Sequence, residues 1–153
     1  MVLSPAWQLD ILAVEDTPSD IDLLRMALQK CGSVRSLQVV NDGAEAIAYL
    51  KGEPPYDAGR RQVPNIIFMD LKMPRMSGLE VLRWLRNNPE CSVIPVIIMS
   101  NSCLDQDVLQ AYRLGANAYF EKPTDFDALQ SILQSILTFW SHAKRPPMIR
   151  FPC

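Results

Sequence analysis

The chain has 153 residues, 48% of them hydrophobic and 21% charged, and its 15 basic and 17 acidic residues give a formal net charge of −2. This length allows one ordinary globular domain and leaves no room for a fused DNA-binding or catalytic module. The near-neutral charge argues against a nucleic-acid partner, and the lack of a membrane-length apolar run or a signal-peptide pattern predicts a cytoplasmic protein without a membrane partner.

Five short segments rich in apolar and β-branched residues predict strands, and each is followed by a segment with helical spacing. Successive βα units require a parallel sheet, and continuous apolar runs are typical of strands covered on both faces. The sequence therefore predicts an α/β fold with a doubly wound, five-stranded parallel sheet. In chain order the predicted strands are Ile11–Val14, Leu37–Val40, Ile66–Met69, Val96–Met99 and Ala118–Phe120.

Helix start signals precede several of the helical segments. Thr17 followed by Pro18 is typical of an N-cap with proline in the first helical position, and Asp42 and Asp125 open two further helices in the same way. The proline-rich stretch at residues 51–64 predicts a long surface loop.

The predicted last helix has a wider apolar arc than packing on one sheet face needs, and the surplus suggests a surface for a partner. We expect one domain over residues 1–143 and a tail, residues 144–153, that is too short to fold alone. The apolar positions of this helix are Phe126, Leu129, Ile132, Leu133, Ile136, Leu137, Phe139 and Trp140.

Polar side chains follow the ends of four predicted strands. The first strand is followed by Glu15 and Asp16, the third by Asp70, the fourth by Ser100 and the fifth by Lys122. Ligands of open α/β sheets bind outside the carboxyl ends of the strands. Each residue alone has an ordinary explanation as a cap, a turn residue or a solvated lysine, but their joint placement favours a functional site.

Carboxylates that share one pocket repel each other. Two unit charges about 4 Å apart interact by roughly 4 kcal/mol at an effective dielectric constant near 20. Such a cluster raises a pKa or binds a cation, and ligands that are all oxygens favour a hard ion such as Mg²⁺. A carboxylate beside Mg²⁺ can attack phosphorus, with Lys122 and Ser100 stabilising the transferred group. The pattern predicts an aspartyl-phosphate site.

Four sequence motifs lie at these strand ends: VEDTPSD, FMDLKMPRMSG, IIMSNS and GANAYFEKP. With these motifs the chain resembles, from about Leu9 to Trp140, the receiver domain of two-component response regulators. The resemblance implies a flavodoxin-like fold with the strand order 2-1-3-4-5. It also implies a protein that switches an interaction surface when it is phosphorylated.

The resemblance assigns the phosphoacceptor and the metal ligands. Asp70 would receive a phosphoryl group from the phosphohistidine of a sensor histidine kinase. Asp16, Asp70 and the backbone carbonyl of Lys72 would bind Mg²⁺, and Glu15 would contribute through water.

The resemblance also assigns the residues around the phosphoryl group. Ser100 and Lys122 would contact its oxygens, and Tyr119 occupies the aromatic switch position, where the ring turns inward as Ser100 moves towards the phosphoryl group. The bond between Lys122 and Pro123 is expected to be cis.

A narrower resemblance rests on the proline-rich loop, the NNPECSVIPVI segment and the aromatic pair Phe139-Trp140. These features resemble single-domain regulators that are paired with phytochrome histidine kinases. That group tends to dimerise through the fourth and fifth helices and the fifth strand. The resemblance therefore implies a phytochrome-type kinase partner and a homodimer.

Several other functions remain open at this point. The protein could pass the phosphoryl group on to a histidine in a relay, or act as a scaffold that is no longer phosphorylated. A Mg²⁺-dependent phosphohydrolase usually has a second acid where this chain has Lys72, and a flavin or nucleotide carrier would have a phosphate-binding loop where Glu15 and Asp16 stand. We expect a phosphoacceptor with, at most, self-dephosphorylation, and not an enzyme.

Overall fold

The computed structural model describes residues 8–57 and 63–147. Strands and helices alternate along these ranges, as predicted, and no helix within them is long and apolar enough to cross a bilayer. The elements are β1 (Leu9–Val14), α1 (Pro18–Gln29), β2 (Val34–Val40), α2 (Gly43–Lys51), β3 (Ile66–Met69), α3 (Gly78–Asn87), β4 (Val96–Ser100), α4 (Asp105–Arg113), β5 (Ala118–Glu121) and α5 (Phe126–His142).

The five strands form one sheet in the order β2-β1-β3-β4-β5, and every neighbouring pair is parallel. This order confirms the expected fold. Strand β2 begins earlier than predicted because Arg35 and Ser36, which interrupt its apolar pattern, bond to the buried carboxylate of Asp10 on β1.

Helices cover both faces of the sheet and bury two separate cores. On one face α1 and α5 pack on alternate strand residues such as Ile11 and Phe68. On the other face α2, α3 and α4 pack on residues such as Leu12 and Ile67. Because both faces are covered, β1, β3 and β4 are buried along their full lengths.

The helix starts are built much as the sequence indicates. The Asp42 carboxylate accepts the Glu45 amide at 2.8 Å and caps α2. Helix α1 does begin with Pro18 after Thr17, but the Thr17 side chain makes no capping hydrogen bond. A full capping box between Ser77 and Glu80 starts α3, a signal that the sequence analysis did not use.

Tyr112 on α4 lies over the outer edge of β5. Its hydroxyl accepts the backbone N–H of Tyr119 at 3.2 Å. The sheet ends at β5, so this N–H has no strand beside it to bond to. The Tyr112 side chain therefore provides a hydrogen-bond acceptor for one backbone N–H at the open edge of the sheet.

One expectation about the loop between β5 and α5 is wrong. The bond between Lys122 and Pro123 is not cis; the one cis peptide bond in the described residues joins Pro54 and Pro55. The expectation was wrong because the trans form, generally favoured by about 0.5–1 kcal/mol, already lets Lys122 reach the carboxylates.

Most of the apolar arc of α5 packs inside the molecule. Leu129, Leu133, Ile136 and Leu137 are buried. Phe139 remains 65% exposed and contacts Trp140 edge to face, with ring centroids 5.3 Å apart. The surplus that the sequence predicted is therefore concentrated near the C-terminal end of the helix. Of the predicted tail, residues 148–153 lie outside the described residues.

Candidate functional site

Backbone hydrogen bonds continue past the strand ends and fix the residues that follow. The Glu15 amide donates to the Val40 carbonyl at 3.0 Å, and the Asp70 amide donates to the Val14 carbonyl at the same distance. The sheet thus holds the backbones of its central strand ends in register. It presents Glu15 and Asp70 at one edge.

Three carboxylates meet at this edge. Glu15, Asp16 and Asp70 each have an oxygen that lies within 4.8 Å of the others. Asp70 is only 5% exposed and Glu15 only 6%. Burial raises the pKa of Glu15, and the charge of Asp70 adds to that rise while Lys122 opposes it.

Lys122 provides the positive charge among these acids. Its Nζ lies 2.8 Å from Glu15, 2.8 Å from Asp20 and 3.0 Å from Asp70. Burial alone would lower the pKa of Lys122, but the hydrogen bonds to the three carboxylates outweigh burial and raise it. Lys122 is therefore a fixed ammonium beside the Asp70 carboxylate.

Asp20 is the member of this cluster that the sequence analysis missed. It lies in the first turn of α1, where an acidic residue is favourable in any helix. Its carboxylate instead contacts Lys122, which is 102 positions away in the chain. The VEDTPSD motif does contain this aspartate, so the motif was the available signal.

Ser100 and Tyr119 lie on the neighbouring strands β4 and β5. Ser100 is completely buried, and its hydroxyl accepts the Ser102 amide at 3.2 Å. Tyr119 is half-buried, and its hydroxyl donates to the Ser102 carbonyl at 2.8 Å. The two residues expected to switch are thus joined through one residue of the loop between β4 and α4.

The loop after β3 carries Lys72. Its amide donates to the Asp70 carboxylate at 3.3 Å, so its backbone is close to the acids. Its ammonium group points to α4, where it lies 3.5 Å from Asp107. The Lys72 side chain therefore pairs with Asp107 and not with Asp70.

The same loop has little freedom to change shape. Gly78 donates its amide to the Leu71 carbonyl at 2.9 Å. Arg75 has a φ of 67°, a left-handed conformation that is uncommon for residues other than glycine, and its guanidinium pairs with Asp42 at 2.9 Å. The loop is thus tied to α2 and α3.

The donor set fits a hard divalent cation. Three carboxylates within 4.8 Å of one another supply oxygen ligands, and none of the residues grouped there is histidine or cysteine. Lys122 neutralises part of the negative charge of the cluster. The arrangement suits an anionic group that arrives together with Mg²⁺.

Comparison with known proteins shows which family the chain resembles. A family description, "Response regulator receiver domain", matches residues 11–134. The response regulator Rcp1 of Synechocystis sp. is 34% identical over 130 residues, which cover 85% of this chain and 87% of Rcp1.

Solved structures are similar as well. The phosphorylated cyanobacterial phytochrome response regulator RcpA superposes with a TM-score of 0.83 at 34% identity, covering 91% of this chain and 99% of RcpA. The Mn²⁺-bound form of Rcp1 superposes with a TM-score of 0.80 at 31% identity, covering 90% of this chain and 99% of that one. This chain belongs to the response regulator receiver domain family.

Proposed function

We propose that this receiver accepts a phosphoryl group on Asp70 in the presence of Mg²⁺ and thereby switches a protein-interaction surface. The observation that carries the proposal is the position of the Asp70 carboxylate. It lies in a cluster with Glu15 and Asp16, and 3.0 Å from the ammonium of Lys122. A nucleophile, metal ligands and a cation for the phosphoryl oxygens are therefore within reach of one another.

The metal ligands would be Asp16, Asp70 and the backbone carbonyl of Lys72, with Glu15 acting through water. When bound, Mg²⁺ supplies positive charge that lets two anions approach each other. The Mn²⁺-bound form of the relative Rcp1 supports this assignment.

The chain's own residues account for the transfer. An oxygen of Asp70 attacks phosphorus, the new O–P bond forms, and the P–N bond of the donor phosphohistidine breaks. The electron pair of that bond stays on the imidazole nitrogen, and the ring carries its proton on the other nitrogen. Lys122 and the Ser100 hydroxyl then hold the phosphoryl oxygens, and Tyr119 responds to the movement of Ser100.

The cavity at the site argues against turnover of metabolites. It encloses about 50 Å³ beside Asp70 and Lys122. Pockets for small-molecule substrates generally have roughly 300–1,000 Å³. A cavity of this size has no room for a small-molecule substrate, so we propose a phosphoacceptor that receives the group from another protein and not an enzyme with a small-molecule substrate.

The partner would be a sensor histidine kinase of the phytochrome type. The names of the relatives Rcp1 and RcpA, the second called a phytochrome response regulator, support this choice. We further propose a cytoplasmic homodimer formed by α4, β5 and α5, without nucleic-acid or membrane partners. The receiver domain would extend over residues 1–143, since α5 ends at His142.

Intact-mass measurement tests the chemistry. The protein is incubated with acetyl phosphate and Mg²⁺, beside a Mg²⁺-free sample and the Asp70→Asn variant. Acetate leaves with the electron pair of its P–O bond, so wild type should gain one phosphoryl group. We expect no adduct in either control. An adduct that survives in Asp70→Asn, or forms equally without Mg²⁺, would refute the proposal.

A further inference from the structure

One carboxylate joins the two loops beside the proposed phosphorylation site. Asp107 lies in the first turn of α4 and is only 7% exposed. Its Oδ2 accepts the Ser102 hydroxyl at 2.5 Å and lies 3.5 Å from the Lys72 ammonium. Ser102 belongs to the loop after β4, and Lys72 belongs to the loop after β3. A single oxygen atom thus contacts both loops.

Ser102 connects this carboxylate to the switch residues. Its amide donates to the Ser100 hydroxyl, and its carbonyl accepts the Tyr119 hydroxyl. Its own hydroxyl also accepts the Leu104 amide at 3.3 Å. Any movement of Ser100 towards a phosphoryl group must therefore move Ser102 or break its hydrogen bonds, and the bond to Asp107 resists that movement.

Lys72 connects the same carboxylate to Asp70. The Lys72 backbone is bonded to Asp70, but its side chain is 66% exposed, so the ammonium can swing without leaving a packed core. A doubly charged phosphoryl group on Asp70 would attract this ammonium. Asp107 and the phosphoryl group are then two anions that can pair with one cation.

We propose that Asp107 is a positioning residue that competes with the phosphoryl group for Lys72 and holds Ser102 in its unphosphorylated arrangement. This inference rests on the proposed phosphorylation of Asp70. The contacts of Lys72 with Asp107 and with the phosphoryl group are thermodynamically linked. If pairing with Asp107 weakens the binding of Lys72 to the phosphoryl group, phosphorylation weakens the pairing with Asp107 by the same factor. Phosphorylation would thereby loosen the start of α4.

A double-mutant cycle tests the competition, with beryllofluoride and Mg²⁺ as the phosphoryl mimic. Asp107→Asn removes the charge that holds Lys72 but keeps an oxygen that can accept the Ser102 hydroxyl. We expect its affinity for beryllofluoride to rise roughly two- to fivefold, the range of an ion pair whose cation is exposed. In a Lys72→Met background the same substitution should change the affinity little.

Asp105→Asn is the matched control. Asp105 is an exposed carboxylate in the same first turn of α4, so the variant changes the net charge and the helix start equally. It should leave the affinity for beryllofluoride unchanged.

Amide hydrogen exchange gives a second readout of the Ser102 contact. Asp107→Ala removes both the charge and the acceptor, so exchange at the Leu104 amide should be faster than in Asp107→Asn. Loading wild type with beryllofluoride should accelerate exchange at the same amide.

The outcomes separate the two proposals. If wild type binds beryllofluoride but the effect of Asp107→Asn is absent, or persists in Lys72→Met, the role of Asp107 is wrong and the phosphoacceptor proposal stands. If wild type binds no beryllofluoride and gains no phosphoryl group from acetyl phosphate, both proposals are wrong.

Discussion

Gly78 lies against the backbone of the proposed phosphoacceptor. A Cβ atom at this position would lie 2.2 Å from the Asp70 carbonyl oxygen and 3.0 Å from the Leu71 Cα. Both neighbours are backbone atoms, which cannot rotate away as a flexible side chain would. Any side chain at position 78 must therefore displace Asp70 or the start of α3.

We expect Gly78→Ala to lower the free energy of unfolding by roughly 3 kcal/mol, through overpacking against the backbone. Gly32→Ala is the control, since a Cβ there would have no atom within 4 Å, and its effect should stay within roughly 0.5 kcal/mol. Urea unfolding followed by circular dichroism measures both. Equal effects of the two variants would contradict this account of position 78.

Single residues of the site were predictable where a strand end fixes them. Asp70 directly follows β3 and Lys122 directly follows β5, so the order of strands brings them together. Asp20 and Asp107 were not predictable in this way, because they lie in the first turns of helices and their contacts depend on the shapes of the loops before them. For the same reason the sequence left the direction of the Lys72 side chain undecided.

An ion pair between a buried acid, Asp10, and a largely exposed base, Arg35, joins strands β1 and β2. Asp10 is 3% exposed, and it accepts hydrogen bonds from Ser36 and from the guanidinium of Arg35. Burial alone would raise the pKa of Asp10, but these hydrogen bonds and the charge of Arg35 outweigh burial and lower it. The pair therefore stabilises the edge strand β2 only while Asp10 is ionised.

Removal of Arg35 should therefore matter most near neutral pH. We expect Arg35→Gln to lose about 1–2 kcal/mol of unfolding free energy at pH 7. A lowered folded-state pKa stabilises the protein above the pKa of the unfolded chain, and this stabilisation disappears as pH falls through the folded value.

Urea unfolding between pH 3 and pH 7 should show the gap between wild type and Arg35→Gln narrowing below about pH 4. Arg25→Gln, at an exposed position of α1, controls for the loss of one positive charge. A gap that is constant over this pH range would show that the Asp10 charge is not involved.

The Asp10–Arg35 pair also explains why the apolar pattern placed the start of β2 too late. Apolar runs located all five strands, but β2 extends three residues before its predicted start at Leu37, through Arg35 and Ser36. Those polar residues count against a strand by periodicity. They are stabilised by a partner on β1 that only the folded sheet brings near, so no local pattern could have indicated them.

For the whole molecule, periodicity indicated a covered parallel sheet, whereas the strand order came from the resemblance. Hydrophobic spacing reports which faces are buried and not which strands are neighbours. Hydrophobic spacing also indicated only part of the surface proposed for dimerisation. Leu109, Tyr112 and Phe139, on α4 and α5, are about half exposed or more. Hydrophobic spacing indicated such a surface only for the last helix, and the resemblance added the fourth helix and the fifth strand.

We expect wild type to dimerise through this surface. Phe139→Glu should raise the dissociation constant of the dimer by roughly tenfold or more, because a charge would replace the most exposed aromatic side chain of this surface. Val93→Glu is the control, since Val93 is similarly exposed in the turn before β4. Light scattering over a concentration series measures both variants. A monomeric wild type, or equal effects of the two variants, would refute this dimer.

The hydrogen bond from the Tyr119 amide to the Tyr112 hydroxyl limits how two copies of the chain can associate. A strand added at the β5 edge would need that N–H, and the Tyr112 ring already occupies the space beside it. At this edge two copies can therefore associate through side chains but not by extending the hydrogen-bond ladder from β5. In a dimer formed at this edge each copy would keep its own five-stranded sheet, so the pair would separate without breaking backbone hydrogen bonds.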